Sequence, residues 1–235
     1  MYIGNKEVSK VYLGNKDVSN LYIGTLGSNQ DGYWVHKDTG VKTYFDLDDP
    51  SIEDGIMGYP SWMPNCSEVK LPSGVTGFKT YNWVFEEFDN EEITYTGFVH
   101  SKETLPIGNE VLVVVDLSNT DVPSLGNSCF AYCEALTSIT LPESVVSLGE
   151  YCFAECTSLT SITLPESVVS LGKGCFRKCT SLTLAIVLPA TPPSIGGMVF
   201  DETHTSFNIK VRSPYVNDYK TAPNWSEYAN KISAI

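Results

Sequence analysis

Residues 136 to 158 read LTSITLPESVVSLGEYCFAECTS, and residues 159 to 181 read LTSITLPESVVSLGKGCFRKCTS. The two stretches are identical at 19 of 23 positions and differ only at 150/173, 151/174, 154/177 and 155/178. A fixed period of this kind is the sequence signature of a repeat architecture. We expect the four variable positions to face water.

The repeat continues in both directions from this pair. Upstream, residues 113 to 135 keep the pattern in register at Leu125, Gly126, Cys129, Phe130 and Cys133. Downstream, Ile195, Gly196 and Phe200 continue it after a one-residue insertion near Leu184 to Leu188.

A degenerate copy precedes these repeats at residues 67 to 78, which read SEVKLPSGVTGF. Its apolar positions are Val69, Leu71, Val75 and Phe78. Ile93 and Tyr95 are candidates for one more repeat strand.

Each 23-residue unit is too small to bury its own apolar side, so neighbouring units must stack. Stacking places apolar residues under their counterparts in the next coil, and in one unit these are Leu136, Ile139, Leu141, Val145, Leu148, Phe153 and Leu159. Ser-Ile-Thr-Leu alternates polar and apolar residues, which predicts a half-buried strand and, for stacked copies, a parallel sheet. We expect Pro142 and Pro165 to end these strands. Gly149 and Gly172 are expected to permit a tight turn before Cys-Phe.

The order Leu-Thr-Ser-Ile-Thr-Leu-Pro, Val-x-Ser-Leu-Gly and Cys-Phe-x-x-Cys resembles the BspA-like leucine-rich repeats, which are common in surface proteins of gut and oral bacteria. That family usually has Ala-Phe where this chain has Cys129-Phe130, Cys152-Phe153 and Cys175-Phe176. Residues 207 to 232, FNIKVRSPYVNDYKTAPNWSEYANKI, are similar to the segment that closes such repeats. That segment is a last strand and a short helical cap, here containing Tyr219, Trp225 and Tyr228.

The resemblance covers residues 65 to 235 and implies a mainly β protein, a short right-handed leucine-rich-repeat solenoid with a 23-residue period and a C-terminal helical cap. We expect four segments along the chain. They are an N-terminal tandem β-repeat (1–26), an irregular, acidic, β-rich segment grading into degenerate repeats (27–110), the leucine-rich repeats (111–206), and the last strand with its cap (207–235).

The N-terminal segment contains its own tandem repeat. Residues 3 to 12 read IGNKEVSKVY and residues 13 to 22 read LGNKDVSNLY, with six of ten positions identical. The Gly-Asn pairs predict turns between short strands, which are marginal in water when isolated. We therefore expect residues 1–26 to pack on a partner or on copies of themselves. The segment is similar to tandem segments at the start of phage tail and fibre-like structural proteins of gut bacteria. That similarity implies other virion proteins as partners, or a homo-oligomer such as a trimer.

Charge and hydropathy exclude two classes of partner. The net charge is −13, and residues 27 to 110 contain 15 acidic and 5 basic residues. Without clustered Lys and Arg we predict no nucleic-acid binding. The chain has no stretch near the roughly 20 apolar residues of a membrane helix, so we predict no membrane insertion. If Met1 is the native start, residues 1 to 25 lack the apolar region of a secretory signal. A Met1 added in cloning would remove that argument.

Six of the seven cysteines form three Cys-x3-Cys pairs, namely Cys129/Cys133, Cys152/Cys156 and Cys175/Cys179. The odd total argues against a closed disulfide framework, so we expect reduced thiols. Zinc needs four ligands that converge on one point, whereas each pair belongs to a different coil, and we predict no metal site. Bridges between adjacent coils stay open as an alternative, since stacked Cα atoms could come within about 7 Å.

Other chemistry is weakly represented. Residues 46 to 54 are acidic but lack the Asp-x-Asp-x-Asp-Gly order of a calcium loop. Glu86 and Glu87 with Glu91 and Glu92 could form a carboxylate pair for glycoside hydrolysis, although a solvated acidic edge is the simpler interpretation. The histidines are scattered, and no phosphate-binding or nucleophile motif is present. The sequence predicts no enzyme activity and no cofactor.

Two groups of residues are candidates for a binding surface. Trp34 and Trp62 lie among acidic residues, a combination that suits sugar binding, although most such aromatic residues are core residues. Ser138, Thr140, Ser161 and Thr163 should project from one sheet face. Small hydroxyl side chains there suit either glycan contact or a plain solvated surface.

The sequence therefore predicts a recognition or structural protein. The first hypothesis is a phage virion component, a tail or head fibre or decoration protein, whose solenoid contacts a host-surface protein or glycan. The alternative is a leucine-rich-repeat adhesin of the bacterial cell surface. A hydrolase acting on surface glycans is a third hypothesis, with no specific constellation behind it.

Overall fold

The structure, a computed structural model, describes residues 32–45, 65–78 and 109–235 in full and, elsewhere, only the backbone of short strands. The strands of the first part are β1 (Tyr2–Ile3), β2 (Lys6–Glu7), β3 (Tyr12–Leu13), β4 (Lys16–Asp17), β5 (Tyr33–His36), β6 (Lys42–Tyr44), β7 (Ile52–Glu53), β8 (Ile56–Met57), β9 (Cys66–Lys70), β10 (Gly77–Phe78), β11 (Thr80–Phe85), β12 (Glu91–Thr96), β13 (His100–Lys102) and β14 (Leu105–Ile107).

The strands of the repeats follow. They are β15 (Val114–Asp116), β16 (Ser124–Leu125), β17 (Ser138–Thr140), β18 (Ser147–Leu148), β19 (Ser161–Leu164), β20 (Ser170–Leu171), β21 (Leu184–Val187), β22 (Ser194–Ile195), β23 (Asn208–Val211) and β24 (Ile232–Ala234). Helix α1 (Val216–Thr221) lies between two 3-10 helices, Ser213–Tyr215 and Trp225–Tyr228.

Each repeat forms one coil with strands on two sides of a solenoid. The longer strands form parallel ladders in the orders β17-β15-β9 and β19-β21-β23-β24, and β17 lies beside β19. The shorter strands form the parallel sheet β16-β18-β20-β22. Ser147 pairs with Ser170, so the sheet register equals the sequence period. This confirms the mainly β solenoid that the repeats predict.

The insertion lies where the sequence places it. Ser161 pairs with Leu184 one period later, whereas Ser170 pairs with Ser194 one period and one residue later. The extra residue therefore follows β21. Pro189 corresponds to Pro165, so the inserted residue is Leu188. Leu188 is the last residue of the stretch, Leu184 to Leu188, in which the sequence predicts the insertion.

Phenylalanine rings form the centre of the core. The rings of Phe130, Phe153, Phe176 and Phe200 stack nearly parallel, with centroids 5.2, 5.2 and 5.6 Å apart. The seven apolar residues predicted to stack in one coil are all buried. β19 ends at Leu164, directly before Pro165, as expected for a residue that cannot donate to the ladder.

One expectation about the repeat was wrong. Ala154 and Gly174, at variable positions, are buried, because these residues lie against the neighbouring coil instead of facing water. The expected turn before Cys-Phe is present, and at Gly172 it is closed by a hydrogen bond from Cys175 N to Gly172 O at 3.3 Å, but neither Gly149 nor Gly172 has a positive φ angle. Glycine is needed there because a Cβ would lie 2.6 Å from Asn127 N and 2.4 Å from Glu150 N respectively, so the coil backbones touch at this column.

Left-handed residues explain the Cys-x3-Cys spacing. Within the three coils, a residue with φ between 54° and 61° directly precedes each cysteine of the pairs, and these residues are Ser128, Tyr132, Tyr151, Glu155, Gly174 and Lys178. This backbone forms two successive turns in each coil. In the first of the three coils they are closed by hydrogen bonds from Ala131 N to Ser128 O and from Cys133 N to Phe130 O. Each left-handed residue is followed directly by a cysteine that is buried in the core.

The C-terminal cap is confirmed and includes one strand that the sequence did not predict. Tyr219, Trp225 and Tyr228 are buried against the last coil, where Phe200 contacts the Trp225 and Tyr228 rings. Hydrogen bonds to the last coil run from Tyr219 Oη to Pro189 O (2.8 Å) and from Trp225 Nε1 to Pro193 O (2.7 Å). After the cap, β24 adds a further parallel strand beside β23.

The degenerate copy is a genuine coil. β9 pairs in parallel with β15, and Val69, Leu71, Val75 and Phe78 are buried. Ile93 and Tyr95 do lie in a strand, but β12 pairs antiparallel with β11, so this is a hairpin and not a repeat strand.

The N-terminal repeats have strands at equivalent positions. β1 pairs antiparallel with β2, and β3 pairs antiparallel with β4, ten residues later. Apart from these strands, residues 1–26 lie outside the described residues. The four-segment division of the chain stays a prediction.

Candidate functional site

The outer side of the longer strands forms one surface, which we call the strand face. It consists of the side chains that alternate with the core residues of β5, β9, β15, β17, β19, β21 and β23. In β17 and β19 the burial pattern alternates strictly, with Ser138, Thr140, Ser161 and Thr163 exposed. These four candidate residues therefore lie together, on adjacent strands.

The chemistry of the strand face changes along the solenoid. Neutral hydroxyl side chains occupy its centre, on β17 and β19. On β21 the equivalent positions are Leu184 and Ile186, both half-buried aliphatic residues. On β23 they are Asn208 and Lys210, and the Lys210 ammonium donates to Ala234 O at 2.9 Å.

The N-terminal end of the strand face is aromatic and charged. Tyr33 Oη donates to Glu68 Oε1 at 2.6 Å, and Lys42 Nζ lies 3.5 Å from the centroid of the Tyr33 ring. The hydrogen bond to Glu68, followed by burial, raises the pKa of Tyr33 to about 12. Lys70 forms an ion pair with Asp116 at 3.1 Å. This end is thus a network of paired groups.

Asp116 connects this network to the rest of the sheet. Burial alone would raise the pKa of its carboxyl group, but the hydrogen bonds from Ser118 and the Lys70 ammonium outweigh burial and lower it. Its Oδ1 accepts from Ser118 N at 2.9 Å. Asp116 is therefore a structural carboxylate held ionised by its partners.

Trp34, one of the two tryptophan candidates, does not join the strand face. Trp34 pairs across the sheet with Val69, a core residue, and its partly buried side chain packs on the core. Because alternate strand residues point to opposite sides, Trp34 lies on the inner side. Trp62 lies outside the described residues, as do the acidic loop from residue 46 to 51 and the Glu86 and Glu87 pair.

Within the described residues, the structure was searched for a metal-binding group of side chains and for a membrane-spanning helix. No group of three or more His, Cys, Asp or Glu side chains there is placed to hold a metal ion. All seven cysteines are buried, and none of them forms a disulfide bond. No helix among the described residues is long and apolar enough to cross a membrane.

The sequence reasoning missed two parts of the strand face. Leu184 and Ile186 follow from aligning β21 with Ser161 and Thr163, so the repeat itself contained that signal. The contact of Tyr33 with Glu68 joins residues 35 positions apart in an antiparallel pair that no repeat predicts.

The stacked coils, the parallel sheets and the closing cap define a leucine-rich-repeat solenoid. Residues 109–219 match the BspA type leucine rich repeat region, in 6 copies. Residues 109–219 are thus similar to the BspA type of leucine-rich repeat. The match does not extend to residues 1–26 and gives no support to their resemblance to phage tail proteins.

Two solved structures resemble the chain. A leucine-rich repeat protein from Bacteroides ovatus ATCC 8483 is 27% identical, with 55% of this chain and 32% of that chain covered and a TM-score of 0.43. A leucine-rich repeat protein from T. pallidum is 23% identical, with 66% of this chain and 77% of that chain covered and a TM-score of 0.42. The chain thus spans 32% of the Bacteroides ovatus protein. No curated protein matches it significantly.

Proposed function

We propose that this protein is a non-enzymatic recognition scaffold whose strand face binds a protein or glycan on a cell surface. The observation that carries the proposal is the separation of roles within each strand. Ile139 and Ile162 form the core, while the alternate Ser and Thr side chains stay exposed and take no part in it. The composition of this face can therefore change without affecting the fold, as a binding surface requires.

The centre of the strand face suits a neutral partner. Ser138, Thr140, Ser161 and Thr163 provide hydroxyl donors and acceptors but no charge, and Leu184 and Ile186 add partly exposed apolar area beside them. The charged groups at the N-terminal end already pair with each other. Hydroxyl-rich glycans and uncharged protein surfaces both fit this combination.

The proposal also concerns where the scaffold acts, on a phage particle or on a bacterial cell surface. We favour a virion component in which residues 1–26 attach the chain to other virion proteins or to copies of itself. The support is the tandem sequence repeat and the two equivalent strand pairs, β1-β2 and β3-β4. The alternative is a bacterial cell-surface adhesin, supported by the BspA-type repeats of residues 109–219.

A pair of double variants tests the strand face. T140R with T163R places two bulky charged side chains at its centre. V146R with V169R makes the same change at exposed positions elsewhere on the same coils, where the side chains are 40% and 57% exposed. We expect labelled T140R/T163R protein to lose at least tenfold in binding to host bacteria, while V146R/V169R binds as the parent does. Equal binding by both variants would show that the strand face is only a solvated surface.

The setting is tested separately. Light scattering gives the solution mass of the intact chain and of a chain lacking residues 1–26. An oligomer that becomes a monomer on truncation supports assembly through the tandem repeat. Immunogold labelling that finds the protein on bacterial surfaces and never on particles would favour the adhesin.

A further inference from the structure

Two neighbouring coils of the solenoid are almost interchangeable. We call residues 113–135, 136–158, 159–181 and 182–205 coils A, B, C and D. Coils B and C share 19 of their 23 residues, including all of their strand residues and their buried leucines, cysteines and phenylalanines. Strands and core therefore do not determine the order in which these two coils stack.

The contacts between coil backbones do not determine it either. The same hydrogen bond joins each coil to the next, and its three copies are Phe130 N to Cys152 O (2.7 Å), Phe153 N to Cys175 O (2.8 Å) and Phe176 N to Val199 O (2.9 Å). The stacked phenylalanine rings are likewise 5.2, 5.2 and 5.6 Å apart. Because each coil offers the same donors, acceptors and rings, these contacts would also allow coil B to stack directly on coil D.

Stacking coil B on coil D would leave coil C as a loop of 23 residues. The entropy cost of closing a loop grows only slowly with its length, so a loop of this size is a realistic competitor during folding. The native order therefore needs contacts that coil C makes and coil D does not.

Two of the variable positions supply such contacts between coils B and C. The ring of Tyr151 lies over Gly174, where a Cβ would be 2.5 Å from Cε1 of the ring. Glu155 Oε1 forms an ion pair with Lys178 Nζ at 2.6 Å. Coil C thus offers coil B a space for the ring and a cation for the carboxylate.

Coil D offers coil B neither of these. At the positions of the glycine and the lysine it has Met198 and Glu202. On coil D, Tyr151 would meet the methionine side chain, and Glu155 would face a second carboxylate. Glu202 instead pairs with Arg177 of coil C, at 2.9 Å. Coil C is therefore a basic coil that fits between two acidic neighbours.

We propose that these side chains fix the order of the coils, so that coil B stacks on coil C and not on coil D. The composition of the strand face depends on this order. Without coil C, Ser161 and Thr163 would leave the face, and Thr140 would lie beside Ile186. The proposal concerns folding and holds whether or not the strand face binds a partner.

The variant M198G/E202K tests the proposal by giving coil D the two residues with which coil C contacts coil B. The contacts between coils B and C stay intact, and Met198 has a φ of 59°, which glycine adopts without strain. The matched control is M198G/E202Q. It also removes the carboxylate that pairs with Arg177, but it offers no cation to Glu155.

The cysteines provide the measurement. All seven have no solvent exposure, and looping out coil C would expose Cys175 and Cys179 together. The full chain is refolded from urea in a reductant and treated with a pulse of alkylating reagent, and the labelled peptides are identified by mass spectrometry. We expect a species labelled only at Cys175 and Cys179, at least about fivefold more abundant in M198G/E202K than in M198G/E202Q or the parent.

Circular dichroism confirms that both variants reach a folded state before they are compared. Equal amounts of this species in the two variants would overturn the proposal, as would its absence from both. The variable residues would then stabilise the stack without choosing between coils C and D.

A second pair of variants changes coil B and leaves coil D intact, and it decides the question if the first pair does not fold. Y151G/E155K gives coil B a lysine that can pair with Glu202. Y151G/K178A removes the same two contacts between coils B and C but keeps Glu155, which repels Glu202. Only Y151G/E155K should show the species labelled at Cys175 and Cys179, and the same result for both variants would refute the proposal.

Discussion

The ring of Tyr151 covers Gly174, the residue at the same position one coil later. A Cβ on Gly174 would lie 2.5 Å from Cε1 of Tyr151. A second variable position behaves similarly, because Glu155 Oε1 and Lys178 Nζ form an ion pair at 2.6 Å. At these two positions, the residues that differ between the nearly identical repeats therefore lie against each other in adjacent coils.

Replacing Gly174 with alanine should lower the free energy of unfolding by about 1–3 kcal/mol. The residue has a φ of 60°, which disfavours any side chain, and the added methyl group would also press on the Tyr151 ring. Urea denaturation measures the change. In a Y151A background the steric part should disappear and the φ part should remain. An identical loss in both backgrounds would show that Tyr151 is not involved.

Replacing Gly172 with alanine should be more damaging, by about 3 kcal/mol or more. Its Cβ would lie 2.4 Å from the backbone nitrogen of Glu150, and backbone cannot move aside as a side chain can. The matched control is G197A, where nothing lies within 4 Å of the new methyl group. That variant should change stability by less than about 1 kcal/mol. The explanation fails if the two variants unfold at the same urea concentration.

Replacing Phe153 with alanine should lower the free energy of unfolding by about 3–5 kcal/mol. The ring lies between those of Phe130 and Phe176, at 5.2 Å on each side, so its removal leaves a cavity in the middle of the stack. V169A, at a position 57% exposed in the next coil, should cost less than about 0.5 kcal/mol. Chemical denaturation gives the free energy of unfolding of both variants. A loss below about 1 kcal/mol for F153A would contradict the conclusion that the stacked rings form the centre of the core.

The cap offers a prediction about one hydrogen bond. Trp225 Nε1 donates to Pro193 O at 2.7 Å in a buried environment, so W225F should cost about 1–3 kcal/mol by leaving that carbonyl without its donor. Y228F removes a longer contact, 3.4 Å between Phe200 N and the Tyr228 hydroxyl, and should cost less. Thermal unfolding of the two variants provides the comparison, and the reverse order would refute the ranking.

The coils of the repeats could be predicted from the sequence because the 23-residue period also determines the register of the paired strands. Ser147 pairs with Ser170 and Leu148 with Leu171, each one period apart, so aligning the copies also aligns the strands. The same logic placed the buried Val69 in a coil. Aligning the repeats could not predict the β11-β12 hairpin, because its antiparallel pairing is not repeated elsewhere in the sequence.

The candidate site was predictable to the same extent. Alternation within Ser-Ile-Thr placed Thr140 and Thr163 on one exposed face. Trp34 could not be assigned, because which side of β5 faces inward depends on its pairing with Val69, far along the chain. The close approach at Gly172 was likewise hidden, since it reflects contact between coils and not the conformation of one residue.

Alkaline pH should destabilise the protein through its buried thiols. Burial raises the pKa of Cys133 and of Cys179 to about 12, from an ordinary value of 9.0. Between these values the unfolded chain loses protons that the folded protein retains, so stability is full below about pH 9 and falls as the pH rises towards about 12. Each thiol should contribute a fall of about 1.4 kcal/mol per pH unit.

The C133A/C179A variant isolates this effect, because the other titrating groups are common to both proteins. Its free energy of unfolding, measured by urea denaturation from about pH 8 to pH 11, should fall less steeply than that of the parent above about pH 9. Parallel curves for the two proteins would mean that these thiols ionise equally in both states. In that case the two cysteines would not be buried as the stacked coils require, since a thiol that reaches water ionises near its ordinary pKa in the folded protein.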